Sequence, residues 1–159
     1  MIQRIQTIWL LLSSVTIFAL FLFPYVQFFD SNGIAMALKV NGVLSSSGGE
    51  NQLSSSFGFI LQAIATVILG VLPLFTIINY KNRKKQITII IITIVLIILF
   101  GTWLFMSASN AVAEVNKTIS IDNIGIGALL VPLYVVFQLL ALKGINKDTK
   151  LIKSADRLR

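Results

Sequence analysis

Four apolar runs, each long enough to cross a membrane, restrict most strongly how this 159-residue chain can fold. The runs are Ile5–Phe23, Phe57–Asn79, Ile87–Met106 and Ile124–Leu142, and none contains Asp, Glu, Lys or Arg. A helix that crosses a hydrocarbon core of about 30 Å needs about 20 apolar residues. The pattern predicts an all-α integral membrane protein, a four-transmembrane-helix antiparallel bundle that forms a single membrane domain over residues 1–159.

The basic residues between the runs predict the orientation of these helices. Eleven of the 13 Lys and Arg residues fall on one side of the predicted membrane, and only Lys39 and Lys117 fall on the other. The eleven are Arg4, Lys81, Arg83, Lys84, Lys85, Lys143, Lys147, Lys150, Lys153, Arg157 and Arg159. Because Lys and Arg concentrate in cytoplasmic loops, both termini and the loop 80–86 are predicted to be cytoplasmic.

The net charge of +7 is explained by the same residues. They are positioned to contact anionic lipid headgroups on the cytoplasmic face, so membrane lipids are predicted partners and nucleic acid is not. The basic tail, residues 143–159, leaves two interpretations open. It forms an interfacial amphipathic helix with Lys150, Lys153 and Arg157 near one face, or it is a solvated segment that only enforces topology.

The first outer loop, residues 25–56, is long enough to hold structure of its own. Two Asn-Gly pairs, Asn32-Gly33 and Asn41-Gly42, bracket Ile34–Val40. Asn-Gly is a strong hairpin signal, so a strand at about Ile34–Val40 is predicted, with a partner strand before or after it. The Ser- and Gly-rich stretch Ser45–Ser56 is predicted to be a mobile loop.

The second outer loop, residues 107–123, is shorter. Its first part extends the third helix to about Val115, and Thr118–Ile121 alternates in the manner of a short strand. The two outer loops together predict a small β element on the outer face.

The chain lacks the residue types on which most enzyme sites depend. It contains no Cys and no His, which excludes disulfides, thiolate nucleophiles and the commonest metal ligand and general base. The apolar runs hold no acidic or basic side chain, which counts against proton- or ion-coupled transport. The outer carboxylates, Asp30, Glu50, Glu114 and Asp122, are interpreted as solvated surface charge. No enzyme activity, catalytic residue, cofactor or metal site is predicted.

Neutral polar and small residues within the apolar runs are the remaining candidates for a site. In the second run they lie near one helix face, and in the fourth run they do the same. These residues are Gln62, Thr66, Gly70 and Pro73, and Gly127, Tyr134 and Gln138. They are interpreted as helix-packing residues, because small residues let helices approach and amides form hydrogen bonds across helix interfaces. A solute, lipid or partner-helix site lined by Gln62 and Gln138 is the alternative.

Both ends of the chain resemble a known family. The opening, MIQRIQTIWL, and the close, LIKSADRLR, are similar to the terminal motifs of an uncharacterised four-helix membrane protein family of Bacteroidota, the domain of unknown function 4293. The resemblance covers the whole chain and implies residence in the inner membrane of a Gram-negative bacterium. It implies no activity, substrate or catalytic residue.

These observations favour a non-enzymatic function. The first hypothesis is an accessory or scaffolding subunit of a membrane complex, which presents the first outer loop and the basic tail to a membrane-protein partner. The alternative is a small transporter or channel for a neutral or lipidic solute. A continuous polar cavity between the second and fourth helices would favour the transporter, and a closely packed interior would favour the subunit.

Overall fold

A computed structural model of the chain describes residues 2–29, 33–47, 50–80, 82–113 and 123–156. The described residues are mostly helical and include one small antiparallel sheet. The helices are α1 (Ile2–Phe18), α2 (Phe57–Ile78), α3 (Arg83–Ala113) and α4 (Ile126–Asp156), and a single 3-10 turn, Ala19–Phe21, continues α1. The strands are β1 (Val26–Phe29), β2 (Ala35–Lys39), β3 (Gly42–Ser47) and β4 (Glu50–Ser54).

Among the described residues, three helices are long and apolar enough to cross a membrane: Phe57–Ile78, Arg83–Ala113 and Ile126–Thr149. The first apolar run forms a shorter apolar helix, Ile5–Phe21. The prediction of a mostly helical protein, with helices long and apolar enough to cross a membrane and a small β element, is therefore confirmed. Thr side chains inside these helices donate to carbonyls one turn earlier, as Thr93 does to Ile89 O at 2.8 Å, so their hydroxyls need no outside partner.

α1 makes the most extensive helix–helix contacts among the described residues. It packs most extensively against α4 and then against α2, whereas α3 contacts α2 and α4 less extensively. Two hydrophobic clusters result. The larger lies at the sheet end and contains Leu20, Leu38, Phe100 and Tyr134, and the smaller is at the opposite end and contains Ile90 and Ile145, together with Leu10 and Ala141. The helix faces turned away from these clusters are apolar and exposed.

The sheet is an antiparallel meander in the order β1-β2-β3-β4. The strand predicted at Ile34–Val40 is confirmed as β2, and it pairs with β1 before it and with β3 after it. Leu38 and Val40 are completely buried, so the sheet packs into the larger hydrophobic cluster. Gly42 permits the close approach of β4, because a Cβ at this position would lie 2.6 Å from the backbone oxygen of Ser54.

The prediction of a mobile loop at Ser45–Ser56 is wrong. Ser45 belongs to β3, and β4 follows in register, with Leu44 opposite Leu53 and Ser45 opposite Gln52. Backbone pairing to β3 is enough to order this polar segment, since ladder hydrogen bonds do not depend on side-chain hydrophobicity. All four strands come from the first outer loop. From the second outer loop, the described residues add an isolated bridge between Ile124 and Val26, and the predicted strand Thr118–Ile121 lies outside the described residues.

α3 and α4 both continue beyond the apolar runs. Each contains 31 residues and extends over about 46 Å, more than a hydrocarbon core requires. The backbone of the basic tail is helical as far as Asp156 and belongs to α4, so the tail is not a separate helix. The first turns of this extension are packed, since Ile145 is 1% exposed.

Candidate functional site

The centre of the helices holds a set of polar contacts built around Pro73. Proline has no N–H, so the carbonyl of Leu69, four residues earlier in α2, loses its normal helical partner. The hydroxyl of Tyr134 in α4 donates to this carbonyl oxygen at 2.9 Å. In the next position, Gly70 O accepts from Ser14 Oγ in α1 at 2.7 Å. Side chains from two neighbouring helices therefore satisfy the backbone where the proline interrupts α2.

Gly70 also allows α1 to approach α2 closely. A Cβ at Gly70 would lie 2.5 Å from Cζ of Phe18 and within 2.9 Å of two further atoms of its ring. The absence of a side chain thus creates the space that the Phe18 ring occupies. This contact and the Ser14 hydrogen bond act on the same glycine from the same helix.

Gln138 joins α4 to α1 near the same depth. Its Nε2 donates to Ser13 Oγ at 3.1 Å, and Ser13 Oγ donates to Leu10 O at 2.7 Å. The side chain of Gln138 is 1% exposed. Its Oε1 is buried without a hydrogen-bond partner among the described residues.

Gln62 and Thr66 lie closer to the sheet than these contacts do. Gln62 precedes Leu69 by seven residues, or about 10 Å along the axis of α2, whereas Gln138 follows Tyr134 by four residues in the opposite direction along the helices. The two glutamines therefore occupy different depths. Thr66 donates to Gln62 O within its own helix at 2.8 Å, and Oε1 of Gln62 is buried without a partner in the described part of the chain.

A polar junction at the other end of the helices was not anticipated from the sequence. Gln6 Nε2 in α1 donates to Asp148 Oδ2 in α4 at 2.6 Å, and this carboxylate is only 8% exposed. Gln86 Nε2 in α3 donates to Thr76 O in α2 at 3.0 Å. Asp148 lies in a basic segment, a pattern typical of solvated charge. The sequence signal for an inward position is its spacing of seven residues from Ala141, which puts both residues on the same face of the helix.

Next to this junction, a small cavity of about 30 Å³ is lined by Gln6, Gln86, Tyr80 and Arg83 among others. One terminal nitrogen of Arg83 is buried there without a hydrogen-bond partner among the described residues. The other described basic side chains at this end, Lys84, Lys85, Lys143 and Lys147, are exposed. Lys81, Arg157 and Arg159 lie outside the described residues, as do the side chains of Arg4, Lys150 and Lys153.

The start of α4 docks onto the chain that leaves α1. Gly125 N donates to Tyr25 O at 3.0 Å, and Gly127 N donates to Pro24 O at 2.9 Å. A Cβ at Gly127 would lie 2.7 Å from Phe23 O, so only glycine permits this backbone-to-backbone contact. Gly127 thereby fixes the first turn of α4 beneath the sheet.

Tyr25 lies at the sheet end of an apolar crevice between α3 and α4. The crevice has a volume of about 230 Å³ and is lined by Tyr25, Val26, Gly101, Leu104, Phe105, Ala108, Ile124, Ala128, Val131 and Pro132. Tyr25 is 3% exposed, and its hydroxyl makes no hydrogen bond of normal geometry to a described residue. Burial raises the pKa of Tyr25 to about 12, and the nearby Ser107 side chain lowers it in small part.

No three His, Cys, Asp or Glu side chains come together as a metal site within the described ranges. The polar contacts described above join helices to each other, through Tyr134 to Leu69 O and through Ser14 to Gly70 O.

These features define a mostly helical protein, whose described part contains three helices long and apolar enough to cross a membrane, a shorter apolar helix and a small antiparallel sheet at one end. The family model described as Domain of unknown function (DUF4293) matches residues 2–158, and the chain belongs to this family. No curated protein and no solved structure matches the chain.

Proposed function

We propose that the chain is a four-span protein of the inner membrane of a Gram-negative bacterium, with both termini in the cytoplasm. α1 and its 3-10 turn together extend about 30 Å, comparable with the hydrocarbon core, so the shorter first helix is long enough to be the fourth span. The basic residues support the orientation, because the exposed Lys84, Lys85, Lys143 and Lys147 all lie at the end opposite the sheet.

Within that membrane, the protein acts as a non-enzymatic accessory or scaffolding subunit of a larger complex. The observation that carries this proposal is that Tyr134, Ser14 and Gln138 are each engaged in hydrogen bonds that join the helices. A solute path along the same residues would have to break these bonds. The exposed apolar helix faces and the sheet are the surfaces available for binding a partner.

The edge of the sheet is the surface we assign to the membrane-protein partner. β1 and β4 are the two end strands of the sheet, but β1 also bridges Ile124 through Val26, whereas no described residue pairs with the outer edge of β4, on which Leu53 is 51% exposed. An edge strand offers unpaired backbone groups that another chain can bind. The basic cytoplasmic end is assigned to anionic lipid headgroups.

Site-specific photo-crosslinking in cells tests this function. A photoreactive residue at position 53 should yield one crosslinked species of constant mass, and the same residue at the exposed Gln27 of β1 should not. The extracted protein should migrate on native gels as an assembly larger than the 159-residue chain plus its detergent. A protein that migrates alone and mediates saturable solute uptake in liposomes would establish the alternative, a small transporter for a neutral or lipidic solute.

A further inference from the structure

The crevice between α3 and α4 combines an apolar interior with one buried polar group at its upper end. Every lining residue except Tyr25 has a side chain without a polar atom, or no side chain at all. The Tyr25 hydroxyl lies out of contact with bulk solvent and makes no hydrogen bond of normal geometry in the described part of the chain, although the Ser107 side chain is near it. A buried hydroxyl without a partner costs about 1–3 kcal/mol, so a ligand that accepts its hydrogen bond would be favoured.

The dimensions of the crevice fit one hydrocarbon chain. Along α3 it extends from Ala108 to Gly101, seven residues or about 10 Å. The hydrocarbon of one leaflet is about 15 Å thick, half of a core of about 30 Å. The crevice is therefore long enough for the upper part of a single acyl chain and too short for a whole spanning segment.

The depth of Tyr25 matches that of lipid ester groups. Tyr25 follows the end of the first apolar run, and its carbonyl oxygen accepts a hydrogen bond from Gly125 N, immediately before α4, which places it at the level where helices leave the hydrocarbon. Tyrosine rings are enriched at this level, and the ester carbonyls of glycerolipids are hydrogen-bond acceptors there. Gly101 and Ala128 keep the crevice open, since a Cβ at Gly101 would already lie 3.3 Å from Val131 Cγ1.

We propose that this crevice is a binding site for one acyl chain of a membrane glycerolipid, whose ester carbonyl accepts a hydrogen bond from the Tyr25 hydroxyl. The inference rests on the proposed residence in a membrane and is independent of the accessory role. A second apolar groove, between α2 and α3, serves as an internal comparison. It has a volume of about 280 Å³ and is lined by Ala65, Ile68, Leu69, Leu96, Leu99, Phe100 and Trp103, none of which carries a side-chain oxygen.

The test uses the full chain in lipid nanodiscs that contain phosphatidylglycerol with a diazirine on the upper part of one acyl chain. After irradiation, mass spectrometry should locate adducts mainly on α3 between Gly101 and Ala108 and on the first turns of α4. Tyr25→Phe should lower their yield roughly three- to tenfold, the loss of one hydrogen bond. Ala128→Leu, which fills the crevice, should abolish them, whereas Ala65→Leu, the same change in the comparison groove, should leave them intact.

Two results would overturn the site. Adducts spread evenly over all exposed helix faces would show that the crevice holds no lipid of its own. An unchanged yield in Tyr25→Phe, accompanied by equal or higher stability of the protein, would show that the hydroxyl is merely a buried group without a ligand. Failure of the crosslinking at position 53 would affect neither outcome, because the lipid experiment uses purified protein.

Discussion

The hydroxyl of Tyr134 donates to the carbonyl oxygen of Leu69, the one backbone group in α2 that Pro73 deprives of its helical hydrogen bond. The tyrosine of one helix therefore replaces the hydrogen bond that a proline removes from another. In hydrocarbon this replacement matters more than in water, because no water is present to hydrogen-bond an unpaired carbonyl.

A double-mutant cycle tests the relationship between Tyr134 and Pro73. Tyr134→Phe should lower the free energy of unfolding by about 1–2 kcal/mol, because it leaves Leu69 O buried and unpaired. In a Pro73→Ala background the same change should cost clearly less, since the introduced alanine supplies the missing N–H. Unfolding in mixed micelles measures both values, and Tyr80→Phe is the control, since Tyr80 is exposed. An equal loss in both backgrounds would disprove the coupling.

Gly70 is expected to be intolerant of any side chain. Gly70→Ala would place a methyl group 2.5 Å from the Phe18 ring, so α1 and α2 must separate, at a cost of about 1–3 kcal/mol. Gly58→Ala is the matched control in the same helix, because its Cβ would have only Ser56 Oγ nearby, at 3.9 Å. The control should be neutral or slightly stabilising. Thermal unfolding of both variants in one detergent compares them, and similar losses would argue against the packing role.

The helical layout was predictable from the sequence, but the contacts between helices were not. Run lengths and charge positions located α2, α3 and α4, and a spacing of four placed Tyr134 and Gln138 on one face. The pairing of Tyr134 with Leu69 depends on the rotation and depth of α4 against α2, which periodicity within one helix does not encode. Asp148 was missed for the same reason, since its partner Gln6 is 142 residues away.

The strand β4 was also not predictable from the composition of its residues. Glu50–Ser54 has neither alternation nor β-branched residues, so its composition favoured a loop. The strand exists because Gly42 lets Ser54 approach and because β3 offers a free edge for pairing. The adjacent Gly48-Gly49 was the available signal, since Gly-Gly between two segments is also a hairpin pattern.

Tyr25 should make stability depend on pH only in the alkaline range. Below pH 10 both folded and unfolded chains keep the tyrosine protonated, so its contribution is constant. Between pH 10 and about 12 the unfolded chain ionises while the folded protein does not, and the free energy of unfolding should fall as pH rises, by up to about 2–3 kcal/mol. Unfolding of wild type and Tyr25→Phe at stepped pH isolates this term. An identical slope in both proteins would contradict it.

The orientation predicted by the basic residues can be tested with reporter fusions. Fusions after Lys85 and Arg159 should report the cytoplasm, and fusions at Ser47 and Asn116 should report the outside. Neutral replacement of Lys81, Arg83, Lys84 and Lys85 should produce mixed topologies. A cytoplasmic signal at Ser47 would eliminate the four-span arrangement.

The last prediction separates a subunit from a transporter through Gln138 and Leu53. Gln138→Leu removes the bond to Ser13 but places an apolar side chain in an apolar interior, so the protein should accumulate with a modest loss of stability, about 1 kcal/mol. If Gln138 only joins helices, the association with the partner should persist. Gln62→Leu should also leave the association intact, because Gln62 lies at a different depth from Gln138 and the two do not line one common site.

Leu53→Glu makes the opposite change, because it adds a charge to the exposed edge strand and leaves the helices untouched. Charge on an edge strand opposes further strand pairing, so the larger assembly should be lost while the protein still inserts. Gln27→Glu is the matched control, since it adds the same charge to an exposed position of β1. Growth phenotype, protein level and native-gel mobility are compared for all four variants. Loss of function in both glutamine variants at normal protein level, with Leu53→Glu harmless, would favour transport over the subunit role.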